Sequence, residues 1–367
     1  MIPQAAPGRR FDEHRAAIMR AIAAVFDRGI FLLGPETESF EAEFAAAAGL
    51  RHCVAVGSGT DALALALRAA GLRPGDEVIT VSMTAVATAV AIEDAGGVPR
   101  FVDIEGSTRC MDPTALRTAI GARTAAIVPV HLHGFAAPMD EIMGIARQAG
   151  LLVVEDCAQA HGAAWRGRAV GTFGNAAAFS FYPTKNLGAA GDAGAVATND
   201  AAIAARVRRL REYGWDDERN ARGPGSNRRI DEIQAAILRV MLPLLPDHTA
   251  ARRAVAAGYR AALAGSELDL PPDDAGAVYH QFAPASDLRD VLREALDREG
   301  VRTAIHYPLG AHQQARFAAN APALPVTERL ARQLFSLPIQ PEIARGHVEK
   351  IAAVIVRELR RCNRRPS

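Results

Sequence analysis

The sequence predicts an α/β protein: a large domain with a mostly parallel seven-stranded sheet between helices, and a smaller α+β domain at the C-terminal end. Three observations predict it. From about residue 50 to 200, short β-branched apolar runs alternate with Ala-rich helical stretches, the pattern of strands joined by covering helices. After about residue 240 the texture changes to long amphipathic stretches separated by Pro-rich turns. At 367 residues the chain exceeds the size at which one core stops growing, and a prior of about 150 residues per domain suggests two. The boundary is placed near LPLLPDH, giving a large domain over 1–240, N-terminal segment included, and a small one over 241–367.

The expected strands cover 53–56, 77–81, 99–102, 125–130, 151–154, 177–181 and 194–198. The segment 61–70 (DALALALRAA) alternates its leucines as a strand would. Its alanine content, its length and an Asp in its first turn instead predict a helix buried all round. In the second part, 250–263 and 286–299 read as amphipathic helices, and the basic end RELRRCNRRPS as a solvated helix terminus.

Composition narrows the function classes. With 49% hydrophobic and 23% charged residues the chain reads as an ordinary globular protein. Lys plus Arg (42) nearly cancel Asp plus Glu (41), so no global field draws it to nucleic acid or an anionic membrane, and any bound anion must be held locally. The N-terminus has no apolar core behind its basic residues and no run approaches 18 apolar residues, which predicts a cytoplasmic protein. Cys53, Cys110, Cys157 and Cys362 lack metal-ligand spacing and read as buried or incidental thiols, so no metal is expected.

Three segments carry candidate chemistry. In GSGTDALALAL, Gly57, Ser58, Gly59 and Thr60 follow a strand and open a helix. Two glycines let the backbone approach an anion, and the free N–H groups and helix dipole favour negative charge, the dipole by about 0.3–1 kcal/mol. Such turns serve structural ends as often. In VVEDCAQAHGA, Asp156 ends an apolar strand, with Gln159 and His161 behind it. Open α/β sheets build their sites at this edge, and a carboxylate there keeps a cationic ring nitrogen protonated. Helix capping is the competing reading of Asp156, and a hydrogen-bonded core histidine that of His161. In AFSFYPTKNLGAAGDAGAV a strand runs into Ser180, Tyr182, Pro183, Thr184 and Lys185. A lysine sits by default on the surface. Desolvation between an aromatic-proline turn and a Gly-rich apolar stretch lowers its pKa and makes the amine nucleophilic, which implies carbonyl chemistry. Ser180 can reach a phosphate on the same ligand. A phosphate cradle, a carboxylate for a pyridine nitrogen and a Schiff-base lysine are together what pyridoxal 5'-phosphate (PLP) requires.

With these residues in view, the sequence resembles the DegT family of PLP-dependent nucleotide-sugar aminotransferases, which share the fold type I architecture. The likeness runs from GIFLLGPETESFEAEFA through GSGTDALALAL, GDEVITVSMTAVATAVAI, FVDIEGSTRCMDP, PVHLHGFAAPMDEI, VVEDCAQAHGA and FSFYPTKNLGAAGDAGAV. It continues in GSNRRIDEIQAAIL, AIHYPLGAHQQ and LPVTERLARQLFSLPI. The resemblance implies that Lys185 holds PLP as a Schiff base and moves the proton, that Asp156 pairs with the pyridinium nitrogen, and that Gln159 lies against the ring. Gly59, Thr60 and Ser180 would hold the phosphate. Asn227 matches a residue that in this family reaches across a dimer interface to the partner's phosphate, so a homodimer with shared sites is implied. Arg229 is a candidate substrate contact. So are His306 and Tyr307, equally readable as packing residues at a domain junction. Two departures stand out: SMTAVAT has Ala85 where many members carry an aromatic, leaving ring stacking to Met83 or to nothing, and GDAGAV has Ala193 where a glycine is usual.

The implied reaction is ping-pong, with L-glutamate as amino donor and a dTDP- or UDP-linked keto sugar as acceptor. The segment around Lys185 looks more like members acting at sugar C3 than at C4. Amination at C4 and a non-catalytic regulator on the same scaffold are the alternatives. Lys185 argues against the related sugar dehydratases, which carry histidine there. GSGTDA also fits the looser GxGxxA dinucleotide fingerprint, but Asp76 and Glu77 open the next strand, whereas a ribose-binding acid should end one.

Overall fold

The computed structural model describes residues 1–319 and 321–363. Among the described residues nine strands form: β1 (His52–Val56), β2 (Glu77–Val81), β3 (Val98–Val102), β4 (Thr124–Val128), β5 (Leu152–Asp156), β6 (Ala164–Trp165), β7 (Arg168–Ala169), β8 (Ala176–Ser180) and β9 (Gly194–Thr198). All but the short β6–β7 hairpin make one sheet in the order β1-β9-β8-β5-β4-β2-β3. β9 pairs antiparallel with both neighbours and the other pairings are parallel, so the sheet is mostly parallel and seven-stranded as expected. Strands covered on both faces read as continuous apolar runs, and β2 and β9 are buried along their whole length.

Two strand ends moved by two residues, and several other boundaries by one. The run 125–130 stops at Val128, because Pro129 has no N–H for the ladder, and Val130 adds a single bridge to Asp156. β5 runs two residues past its expected end, making Asp156 its last member.

The alternating-leucine segment is a helix, Gly59–Ala70, buried on almost every face. Ser58 caps it by accepting from the Asp61 N–H at 3.1 Å, and Gly71 ends it in the left-handed region at φ 109°. A second capping device lies upstream. The buried Glu232 accepts from the backbone of Gly34, Glu36 and Thr37, the first N–H groups of the helix Pro35–Ala47, and so ties GPETESF to a distant helix.

Beyond the sheet, the LPLLPDH turn is a short 3₁₀ step, Leu242–Leu244, between the helices Glu232–Met241 and Leu245–Leu263. Helices Leu245–Leu263 and Arg289–Arg298 pack on Arg345–Asn363. The β part of this region is a set of isolated bridges, such as Phe282–Leu337 and Ala304–Ser336. Ile2 bridges to Val301, so the N-terminal segment reaches the C-terminal region. Of the basic end, residues up to Asn363 are helical, and 364–367 lie outside the described residues.

Candidate active site

At the carboxyl edge of β1, β5 and β8 opens a cavity of about 420 Å³. Its wall brings together Gly59, Thr60, Asp156, Gln159, Ser180, Lys185, His306 and Tyr307. Asn227 and Arg229 are not part of that wall: Asn227 is exposed, and Arg229 pairs with Glu212 at 3.3 Å and lies over Tyr213.

In the first loop Gly59 is required by close approach. A Cβ on Gly59 would stand 2.5 Å from the Cβ of Ser180, so only a glycine lets the helix N-terminus abut β8 there. Because β9 runs antiparallel, its first residue, Gly194, arrives at the same edge, in register with both Val56 and Ser180. A Cβ on Gly194 would lie 2.2 Å from the Ser58 carbonyl oxygen. The neighbouring Ala193, a departure from the family pattern, sits buried in the wall without such a conflict.

Asp156 is fixed at both oxygens. Thr88 Oγ donates to Oδ2 at 2.9 Å and the Ala158 N–H to Oδ1 at 3.1 Å. Thr88 is in turn bonded to Thr84, four residues earlier. The residues after Asp156 form turns rather than the helix that the capping reading expected, and the carboxylate faces the cavity.

Lys185 sits on a turn closed by its own N–H to the Tyr182 carbonyl at 2.8 Å. Arg10, from the N-terminal helix Pro7–Glu13, donates to the carbonyls of Pro183 at 2.9 Å, Lys185 at 3.1 Å and Asn186 at 3.0 Å. From the other side Asn186 donates to Val278 O at 3.0 Å and meets His280 Nδ1 at 3.2 Å. Burial lowers the Lys185 ammonium to about 8, opposed by the Asp156 charge. Its positive charge in turn helps burial hold His306 down at about 4, so that ring is neutral at pH 7.

Gln159 has its amide orientation set: Oε1 accepts from the His133 N–H at 2.7 Å and Nε2 donates to Tyr307 Oη at 2.6 Å. Tyr307 stacks on His133 with centroids 6.0 Å apart, and His306 Nδ1 meets Ser336 Oγ at 2.9 Å. Both residues therefore pack at a junction and line the cavity. His161 is buried beside Phe179 and Phe181 and does not line it, and burial lowers its ring to about 3. Met83 is buried in the core, so the wall presents Ala85, and no aromatic, at the position after Thr84.

Cys157 is buried too, and burial beside Glu155 pushes its thiol up. With His131 and Glu155 it forms a compact group, but Glu155 already accepts from His131 and the backbone of Gly171, Phe173 and Gly174. That carboxylate pins a loop.

Sequence reasoning missed Arg10 and Arg252, two buried arginines in the cavity wall, and Thr88. Thr88 had a signal in its spacing, since Thr84 and Thr88 lie one helical turn apart. Arg10 had none, because its bonds span more than 170 residues.

A crowded glycine edge at a helix N-terminus, a doubly held carboxylate and a lysine with lowered pKa suit a phosphate, a ring nitrogen and a carbonyl on one ligand. The fold and the site define an aminotransferase that depends on pyridoxal phosphate. The chain belongs to the DegT/DnrJ/EryC1/StrS aminotransferase family, whose model matches residues 12–356. It is 46% identical over 347 residues, 93% of this chain and 92% of the relative, to the dTDP-3-amino-3,4,6-trideoxy-alpha-D-glucose transaminase of Streptomyces venezuelae. It is 44% identical, over 98% of each chain, to the UDP-N-acetyl-3-dehydro-alpha-D-glucosamine 3-aminotransferase of Acidithiobacillus ferrooxidans. Among solved structures, S. venezuelae DesV in complex with a ketimine intermediate superposes with a TM-score of 0.95 at 43% identity, covering 100% of this chain and 99% of that one.

Proposed function

We propose that the protein transfers the amino group of L-glutamate to C3 of a keto sugar carried on dTDP or UDP. The observation that carries the catalytic part is Lys185, its ammonium lowered to about 8 in a cavity it shares with Asp156. The sugar position is supported by the S. venezuelae and A. ferrooxidans relatives, both named for amination at C3.

PLP, when bound, supplies the carbonyl that takes up the amine and the electron sink for charge developing at the reacting carbon. Lys185 would hold it through Nζ and would carry the proton at that same nitrogen. Positioned proton transfer of this kind contributes about 10²–10⁴-fold. Asp156, fixed by Thr88 and Ala158, keeps the ring nitrogen protonated. Gly59, Thr60 and Ser180 take the phosphate with backbone N–H groups and hydroxyls, and Gln159, locked by His133 and Tyr307, backs the ring. His306 and Tyr307 face the sugar.

A homodimer completes the site, with Asn227 supplied by the second chain. Its exposure outside the cavity supports this, as does an exposed apolar set on one helix and the loop after it: Met19, Phe26, Ile30, Phe31 and Leu32. Arg229 is assigned to the substrate side of that second-chain contribution. The division into 1–240 and 241–367 is supported by packing: Glu232–Met241 lies on the N-terminal helices, while Leu245–Leu263 lies on Arg345–Asn363. Among the described residues no helix is long and apolar enough to cross a membrane. The cytoplasmic assignment rests on four unpaired cysteines, which suit a reducing compartment.

The test offers glutamate-loaded protein UDP- and dTDP-linked 3-keto and 4-keto sugars. The 3-keto forms should be aminated. Amination of 4-keto forms alone overturns the assignment to C3.

A further inference from the structure

The hydrogen bonds that hold Asp156 run well beyond the cavity. Thr88, in the helix Val86–Asp94, donates to Asp156 Oδ2 at 2.9 Å, and Thr84 Oγ1 lies 2.9 Å from Thr88 Oγ1. All three residues are buried. A hydroxyl has one proton to give, and a carboxylate can only accept. The Thr88 proton is committed to Asp156, so the proton between the two threonines comes from Thr84. The pair is a one-way relay, from Thr84 to Thr88 to Asp156.

The direction matters because a helical threonine has a competing acceptor. Its hydroxyl readily donates to a backbone carbonyl three or four residues back, here that of Ala85 or Thr84. A donor seated on the Thr88 oxygen occupies one of its lone pairs and turns its proton outward to Asp156. Bonds in such a chain also polarise and strengthen one another.

Thr84 is itself anchored. Its N–H donates to the Ser82 carbonyl at 3.0 Å, which also accepts from the Ala311 N–H at 2.9 Å. Ser82 Oγ meets His312 Nδ1 at 2.5 Å and accepts from the His312 N–H at 3.2 Å. The other ring nitrogen, Nε2, lies 3.4 Å from Glu328 Oε1. That carboxylate only accepts, so Nε2 carries the ring proton and Nδ1 takes the proton of the Ser82 hydroxyl. Tyr307, in the same stretch of chain as His312, donates an acceptor oxygen to the Gln159 amide. One stretch therefore braces Asp156 through His312 and Gln159 through Tyr307.

Resting on the reading above that Asp156 faces the ring nitrogen of PLP, we propose that Thr84 is a positioning residue for Asp156, with Ser82 and His312 as its anchor. Thr84 is not part of the cavity wall and touches no ligand there. It aims the Thr88 hydroxyl, and that hydroxyl holds the carboxylate toward the cavity.

The experiment titrates the cofactor-stripped full chain with PLP and with its 1-deaza analogue, which has carbon in place of the ring nitrogen. Wild type should bind PLP more tightly, since only PLP can pair with Asp156 through that nitrogen. A relay acting through the pair is worth about one neutral hydrogen bond, so Thr84→Val should bind PLP about 3- to 10-fold more weakly and the analogue as wild type does. Thr84→Ser keeps the hydroxyl and should restore the preference. Equal losses for both cofactors, or no recovery in Thr84→Ser, assign Thr84 to packing and overturn the proposal, as does an unchanged preference in Thr84→Val. Thr84→Ala carries the test if Thr84→Val does not fold. Asp156→Asn separates this proposal from the reading beneath it. If that variant keeps the preference for PLP, Asp156 does not face the ring nitrogen and both fall; if it loses the preference while Thr84→Val keeps it, the relay alone falls.

Discussion

At position 185 the protein keeps a lysine in a chain that otherwise uses arginine. The only other lysine, Lys350, lies on the C-terminal helix and donates to the Glu299 carbonyl at 2.9 Å. A guanidinium stays charged at any working pH, whereas a buried ammonium gives up its proton near neutrality. The same burial strains the fold. Between about 8 and the ordinary lysine value of 10.5, folded protein binds fewer protons at Lys185 than unfolded protein does, so stability rises with pH across that window. Thermal melts of the cofactor-free protein should therefore show Lys185→Met more stable than wild type at pH 7, with the gap closing by pH 10.5. A gap that does not change with pH would contradict this. Replacing Asp156 with Asn keeps its size and removes its charge. Losing an opposite charge at contact range shifts a pKa by one to three units, so kcat should fall about 10- to 1000-fold in steady-state assays. Lys185 and Asp156 were legible because Asp156 ends a strand and Lys185 follows one within a few residues, each in a telling motif. Arg10 was not, because three backbone carbonyls leave no pattern in a sequence.

Among the elements, the junction of β8, β9 and the helix Gly59–Ala70 is where the proposed phosphate end lies. Gly59→Ala must push the helix away from Ser180, and Gly194→Ala must displace the Ser58 carbonyl. Overpacking of this kind costs about 1–3 kcal/mol. Both variants should melt lower than wild type and bind PLP at least about tenfold more weakly by equilibrium titration. Ala193→Gly should leave affinity near wild type, since Ala193 already fits. From the residues alone the GDAGAV departure drew attention to the wrong neighbour: only the antiparallel course of β9 reveals that Gly194 touches the loop. The N-terminal helix acts on the lysine turn. Arg10→Met leaves the carbonyls of Pro183, Lys185 and Asn186 without their donor, and should destabilise the protein by on the order of 3 kcal/mol in denaturant unfolding. Strand periodicity, by contrast, revealed all seven strands of the main sheet. It missed only their ends, which Pro129 and the site itself decide.

For the whole molecule, the proposed homodimer makes a strong demand: neither chain alone holds a complete site. Sedimentation of the wild type should give twice the chain mass, and Phe31→Asp, placing a charge in the exposed apolar set, should shift it toward the monomer with loss of activity. Mixed dimers of Lys185→Ala and Asn227→Ala chains should recover part of the activity, because one of their two sites then has both groups intact. Such sharing was legible only through likeness to the family, since nothing in the spacing of GSNRR predicts a partner. The central claim is that this fold holds pyridoxal phosphate covalently on Lys185, and reduction tests it most directly. Borohydride treatment of the yellow protein, followed by peptide mapping, should remove the visible band and place the cofactor's mass on the peptide containing Lys185. A reduced protein in which Lys185 is unmodified, or in which Lys350 carries the label, would contradict the account.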